Sequence, residues 1–368
     1  PLPWLQTVPF LKIFGVRFYP HYKDTLRVSW EACLKGFNGI LMSWASRNLP
    51  TLRLRVKVLE IFALSKLWYL AQVLPLPKSF ADQIDKKIRK FLWLGRLEHL
   101  AQDELHSKPK DGGLGLVHVQ TKCDVLLVKQ LCRVLDTPGS HRNHLGYWLG
   151  LKLRRFLPDL SRGANAQTVS PLFQYAGNLL LEFLEEGLVD PERLDAVKVR
   201  DLYWERMESP PPPKVTHKFP EVDWRRVWSR LENPVLEPEG RDLLYSLINN
   251  ILPINVRKFR MGLKASEMCI YCPSEREDNT HIFALCTVVR EAWKWLRMIL
   301  ETLDPPVISN LSDSDIIYLF LPRIRREKDF LFLLSNFCLF RWESFKKRQS
   351  CRHRYGNVPK VGNIPQLS

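Results

Sequence analysis

Residues 269–286 read CIYCPSEREDNTHIFALC, which sets Cys269-x2-Cys272-x8-His281-x4-Cys286. A two-residue gap lets both thiolates of a tight turn point at one centre. The excursion PSEREDNT carries Pro, Ser, Asp and Asn and no large apolar side chain, as a loop closed by a metal requires. His281 and Cys286 then supply a second pair from the start of a helix. Three sulfurs and one imidazole nitrogen are a donor set that Zn²⁺ takes in a tetrahedron, at ~2.3 Å for sulfur and ~2.0 Å for nitrogen. Four protein donors leave no open position, so the spacing implies one structural zinc per chain and not a catalytic one. The bland alternative is a few buried thiols and an unrelated histidine. Three thiolates and a neutral imidazole leave a net charge of about −1 around the ion. Any phosphate contact nearby would therefore fall to Arg257, Lys258, Arg260, Lys264 and Arg290.

On both sides of this stretch the apolar spacing is helical. Trp30, Leu34, Phe37, Leu41 and Trp44 recur at intervals of three and four, one face of a helix over 28–47. Pro50 ends it, and Thr51 can cap a second helix that carries Leu54, Val58, Ile61, Ser65 and Trp68. After Pro77, Ile84, Ile88, Phe91 and Leu92 face inward, while Lys86, Lys87, Arg89 and Lys90 fall largely on the remaining arc. Helices are further expected at 121–135, 147–156, on either side of Pro191 within 172–206, at 224–231, 237–252 and 253–261, from His281 to about Leu303, and from Arg326 to about Gln349. A short strand is expected within FLKIFGVRF at 10–18. The glycine-rich KPKDGGLGL at 108–116 lacks a following Gly-Lys-Ser/Thr and a strand before it, so it reads as a tight turn and not a phosphate cradle. The fold class is mainly α: a helical domain, a helical linker, and a small CCHC zinc knuckle embedded in helices.

Composition limits the function classes. Hydrophobic residues make up 45% of the 368, ample for packed cores, and no run of ~18 apolar residues suggests a membrane span. The formal net charge is +16, and it is clustered. Residues 47–96 hold eleven Lys/Arg against three Asp/Glu, and residues 323–354 hold ten against three. These two segments supply 15 of the 16 excess charges, the concentration a polyanion-binding surface needs. Lys346, Lys347 and Arg348 form the candidate patch in the second segment. A solvated helix face is the plainer reading of either. Five cysteines outside the knuckle, Cys33, Cys123, Cys132, Cys338 and Cys351, sit at irregular spacings that make no disulfide framework. The usage suits a reducing compartment, nucleus or cytoplasm, and not secretion. The chain opens Pro1-Leu2-Pro3-Trp4 without Met or a secretory signal, which reads as the middle of something larger.

Ser209-Pro210-Pro211-Pro212-Pro213 favours a stiff extended spacer. The organisation expected is a helical domain at 1–135, which the resemblance given next makes thumb-like, a helical connector at 136–208, a Pro-rich linker at 209–222, the zinc-binding domain at 223–304 and a basic helical tail at 305–368.

The segment HIFALCTVVREAW at 281–293 resembles the zinc-binding region of non-LTR (LINE-type) retrotransposon reverse transcriptases, with its His-aliphatic-Phe-x-x-Cys run and a Trp several residues on. Leu243 to Gly262 is similar to the helical lead-in of that region. The first 120 residues resemble the thumb that follows the palm in this family. FLKIFGVRF, Trp44 before RNLPTLRLRVKVLEIFALSKLWYL at 47–70, Phe91-Leu92-Trp93 and PKDGGLGL at 109–116 carry this likeness. Where the family often has Leu-Ser-x-x-Gly-Arg, this chain has Leu54 before Arg55 and no glycine.

The resemblance implies reverse transcription at a nicked target, with the thumb and knuckle region gripping RNA and DNA. The catalytic step is not expected here, because an aromatic-x-Asp-Asp turn is needed to hold two metal ions and the chain has no Asp-Asp pair. A nuclease of the kind some relatives carry would have only Asp313, Asp315 and Glu327-Lys328 to draw on, at the wrong spacing. Trp224, Trp228, Phe283, Trp293 and Trp295 could stack bases, but helical spacing favours the core for most. Trp293 and Trp295 cannot share one helix face. The reading is a nucleic-acid-binding fragment with RNA or DNA as partner and no small-molecule substrate. The alternatives are a protein-interaction scaffold with purely structural zinc, or a non-functional relic.

Overall fold

The computed structural model describes residues 9–354 apart from 14, 48, 95–99, 161–168 and 208–212, with side chains as far as residue 347. The molecule is mainly α-helical, and it divides into two compact units, one of residues 1–108 and 113–211 and one of 109–112 and 212–368.

The first unit opens with a hairpin in place of the single strand expected over 10–18. Strands β1 (Leu11–Ile13) and β2 (Val16–Phe18) pair antiparallel, Leu11 opposite Phe18 and Ile13 opposite Val16. Gly15 turns the chain between them at φ +86°. A glycine inside an alternating run marks such a turn. Helix α1 (Tyr22–Ala45) buries Trp30, Leu34, Phe37 and Leu41 along one face, and the Trp30 indole donates to the Pro75 carbonyl at 2.8 Å. The Thr51 hydroxyl accepts from the Leu54 N–H at 3.1 Å and caps α2 (Leu52–Val58). The rod continues through a π-helical segment, Leu59–Leu64, into α3 (Ser65–Ala71). Helix α4 (Lys78–Trp93) inserts Ala81, Ile84, Ile88, Phe91 and Leu92. It packs on α1 and α2. Each fully buried Phe or Leu contributes roughly 1.5–3 kcal/mol.

After α5 (Gln102–His106) comes the glycine-rich turn, where Gly113 leaves no room for a side chain: a Cβ there would lie 2.0 Å from the Ser107 carbonyl oxygen. The turn thus serves close packing. Helix α6 (Val119–Asp136) then supports α7 (Ser140–Leu153), α8 (Pro171–Glu185) and α9 (Val199–Arg206) around one apolar cluster running from Val125 to Tyr203.

Asp124 of α6 is held between α6 and α8, accepting from the Gln120 amide at 3.0 Å and the Tyr175 hydroxyl at 3.1 Å. Burial pushes its carboxyl up to about 6, against the opposing pull of those two donors. The folded chain therefore holds this proton more tightly than the unfolded chain does. Stability should fall as pH rises from about 4 to about 6, by up to about 3 kcal/mol and less where water reaches the group. Urea unfolding of wild type and Asp124→Asn across that range checks it: the variant should lose the slope, and parallel curves would remove the assignment.

The second unit begins with a turn of 3-10 helix at Pro109–Asp111, against which α11 (Trp224–Leu231) packs. Residues 209–212 of the expected Pro-rich linker lie outside those described. From Pro213 the chain forms α10 (Lys214–Lys218), α11 (Trp224–Leu231), capped by the Asp223 carboxylate, α12 (Pro238–Ile248) and α13 (Asn255–Arg260). Beyond the cysteine segment come α14 (Arg290–Glu301), α15 (Pro305–Ile308), α16 (Asp313–Ile317) and α17 (Glu327–Arg354). Helix α17 packs on both α12 and α14. No helix among the described residues is long and apolar enough to cross a membrane.

Candidate metal centre

The chain reaches the centre through a short ribbon. Met268 bridges Arg276 antiparallel, the Cys269 N–H donates to the Glu275 carbonyl at 2.8 Å, and the Glu275 N–H to the Cys272 carbonyl at 2.9 Å. This closes a tight turn that aims both sulfurs the same way. The Tyr271 N–H donates to Cys269 Sγ at 3.4 Å, and the Thr287 N–H to Cys272 Sγ at 3.4 Å. Such donors stabilise thiolate over thiol.

The second pair departs from the continuous helix expected from His281. Residues His281–Leu285 form a single π-helical turn, closed by the Cys286 N–H on the His281 carbonyl at 2.7 Å, and Cys286 itself is extended at ψ 135° before α14 begins. In a regular α-helix, side chains five residues apart point about 140° away from each other. The wider turn brings His281 and Cys286 back to one side. The requirement of the centre overrides the helical pattern here.

Cys269, Cys272, His281 and Cys286 are all buried, and their four donor atoms lie within 4.8 Å of one another. Cys272 Sγ and Cys286 Sγ are 3.9 Å apart. Two thiolates on one tetrahedral zinc would be about 3.8 Å apart. The buried His281 Nε2 has no hydrogen-bond partner among the described residues, as a nitrogen awaiting a metal would not. Burial lowers the His281 pKa, which favours the neutral imidazole that a metal binds. Burial pushes the Cys286 thiol up to about 11, so a thiolate at that position needs a cation beside it. Burial also raises Cys272, but the donors from Thr287, Cys286 and Cys269 outweigh it and the net shift is downward. The residues fit one structural zinc, which would pin the turn to the start of α14.

Four side chains that the sequence did not single out hold the frame. Glu277 is wholly buried, and its Oε1 accepts the Asn255 N–H at 2.9 Å at the start of α13. Asn255 in turn donates from Nδ2 to the Met268 carbonyl at 2.8 Å. Asn279 donates to the Leu247 carbonyl at 3.1 Å, and Arg341 of α17 to the Ile282 carbonyl at 3.1 Å. In the sequence, Glu277 and Asn279 are polar residues of a polar loop, and nothing in the spacing distinguishes them from solvated neighbours.

The candidate cations have divided roles. Lys86 and Lys90 are exposed on α4, with Lys87 and Arg89 half-buried. Arg257 donates to the Asn250 carbonyl at 2.6 Å and Lys264 to Asn255 Oδ1 at 2.6 Å, so both serve the frame. Lys258 is half-buried, while Arg260 and Arg290 are exposed. Lys346 pairs with Glu343, Lys347 is exposed, and Arg348 lies in α17 with its side chain outside those described. Of the aromatics, Trp228, Phe283 and Trp293 are core, and Trp295 is 60% exposed. The loose acidic candidates are used internally: Asp313 pairs with Arg297, Asp315 caps α16 through Ser312, and Glu327 pairs with Arg230.

Residues 212–293 match the family model described as zinc-binding in reverse transcriptase. The match spans α11, α12, α13 and all four ligands. This part of the chain is a reverse-transcriptase-associated zinc-binding module.

Proposed function

We propose that the chain is a nucleic-acid-binding part of a LINE-type reverse transcriptase, lying after the palm, with RNA or DNA as its partner and with no polymerase site of its own. The observation that carries the reading is the Cys269–Cys272–His281–Cys286 cluster set inside the segment matched by the reverse-transcriptase zinc-binding family. The thumb-like sequence before it and the clustered positive charge add to it. In this reading the zinc is a clamp that fixes local geometry. Affinity comes from cations, foremost Lys86, Lys87, Arg89 and Lys90, with Arg260, Arg290 and Lys347 on the second unit. Such a protein works in a reducing compartment, nucleus or cytoplasm.

Affinity for single-stranded RNA should fall linearly on a log–log plot against salt, with a slope of about −0.7 for each phosphate neutralised. Changing Lys86, Lys87, Arg89 and Lys90 together to Gln should reduce that slope and weaken binding at least tenfold at low salt. An affinity indifferent to salt would remove the electrostatic account.

A protein-interaction role is the second reading. The rod over 52–73 leaves Leu54, Ile61, Phe62 and Tyr69 exposed along its length, a surface suited to another protein. Unchanged nucleic-acid binding by a folded variant lacking the four α4 cations would favour it.

A further inference from the structure

The first unit contains a groove of about 520 Å³ between α1 and the start of α4, lined by Glu31, Leu34, Lys35, Asn38, Gly39, Met42, Phe80 and Gln83. Its size falls in the range of sites that hold a small organic group. Its chemistry is mixed in a particular way. Leu34, Met42 and Phe80 supply an apolar bed. The Asn38 and Gln83 amides offer donors and acceptors, the Gln83 nitrogen donating to the Ser79 carbonyl at 3.2 Å. Glu31 is engaged by Arg27 at 3.5 Å. Lys35 at the edge has no partner among the described residues.

The α4 wall continues in register. Residues 83, 86, 87 and 90 lie within about 100° of arc on a helix, so Lys86, Lys87 and Lys90 extend the line of Gln83 away from the groove. None of these three lysines has a partner among the described residues. Gly39 in the opposite wall is not demanded by the fold. It is helical, and a Cβ there would meet nothing within 4 Å. A glycine inside a helix costs about 1 kcal/mol relative to alanine.

Resting on the nucleic-acid reading above, we infer that this groove is a base-binding subsite for a single strand, RNA or DNA. One unpaired base lies on the bed of Leu34, Met42 and Phe80 beneath Gly39. Its edge meets the Asn38 and Gln83 amides, and the strand's phosphates run along Lys86, Lys87 and Lys90, with Lys35 on the other rim. Single strands are bound in this manner elsewhere, by apolar or aromatic platforms for bases beside a cationic track for the backbone. A duplex has its bases stacked and paired and cannot place one in the groove.

The test is Gly39→Leu, whose Cβ meets nothing within 4 Å, whose side chain takes up groove space, and which raises helix propensity. A second variant, Asn38→Ala/Gln83→Ala, removes the amides and keeps the space. Binding is measured by fluorescence anisotropy on the full chain, with a single-stranded RNA of about 12 nucleotides and with the corresponding duplex. The expected result is a loss of roughly tenfold or more for the single strand with Gly39→Leu, no change for the duplex, and a thermal midpoint equal to wild type or higher. Single-strand affinity equal to wild type in both variants, while the α4 lysine variant loses it, would overturn the subsite and leave the nucleic-acid reading intact. An equal loss for single strand and duplex would overturn the single-strand assignment. Wild type that binds neither of these RNAs nor the DNA strand and duplex of the same sequence would overturn both readings.

Discussion

Cys272→Ser is expected to bring bound zinc from about one per chain to near zero and to unfold the loop from Cys269 to Thr280. The reason lies in what that segment has for a core. Its buried cluster consists of Cys269, Cys272, Cys286 and Val289, with Tyr271 and Phe337 packed against it. Three of the four buried members are the ligands themselves. Without a metal to neutralise and tie them, the cluster has one aliphatic side chain to hold a long polar loop. The Met268–Arg276 bridge and the buried Glu277 orient that loop but do not supply apolar area. Structural zinc is worth about 10–16 kcal/mol in small zinc modules, so losing one ligand should remove most of the local stability. Elemental analysis gives the zinc, and hydrogen exchange of amides 268–290 gives the fold. His281→Ala should behave in the same way. Cys132→Ser is the control: that thiol is buried in the α6 cluster, and its loss should leave zinc unchanged. Equal zinc in wild type and Cys272→Ser would eliminate the centre.

The metal ligands were legible because zinc demands residue types and spacings that chance seldom supplies together. The α1 and α4 faces were legible for a different reason: Trp30, Leu34, Phe37 and Leu41, like Ile84, Ile88 and Phe91, repeat at helical period and are all buried. The signal failed where one local demand overrode another. His281 to Leu303 reads as unbroken helix because apolar spacing persists through Cys286, yet the centre needs His281 and Cys286 on one side. The hairpin at 11–18 hid behind the apolar run, and only Gly15 marked its turn. The charge of Arg257 and Lys264 pointed to solvent and phosphate, while the structure uses both to close carbonyl and amide groups near α13. A cation's formal charge is visible in sequence; whether a buried acceptor already holds it is a tertiary fact.

Arg230 is the extreme case of such a cation, and Arg230→Ala is expected to destabilise the second unit by about 3–5 kcal/mol. The guanidinium is 1% exposed. Its Nη1 donates to the Leu319 and Leu321 carbonyls at 3.2 and 2.9 Å, its Nη2 to the Pro322 carbonyl at 2.6 Å, and both Nε and Nη2 to Glu327 at 3.1 and 3.0 Å. All of its donor nitrogens are therefore used, and together they clamp α11 to the turn that leads into α17. Leu319 sits in that turn at φ +61°, a conformation rarely adopted by a residue with a side chain. Burial lowers the Arg230 pKa, with Glu327 opposing, yet a guanidinium stays charged at any ordinary pH. Truncation strands the Leu321 and Pro322 carbonyls, leaves the Leu319 carbonyl only the Leu321 N–H at 2.9 Å, and leaves Glu327 without its partner. Arg230→Met keeps the volume and still strands the carbonyls, so it should recover little. Arg230→Lys keeps the charge but presents one nitrogen where three were used, and should cost about 1–3 kcal/mol. The zinc content should stay at that of wild type in all three, because Arg230 touches none of the four ligands or their frame. Urea unfolding followed by tryptophan fluorescence measures the loss. A cost below about 1 kcal/mol for Arg230→Ala would mean that water replaces the guanidinium at those carbonyls, and that the turn is held by its apolar side chains alone.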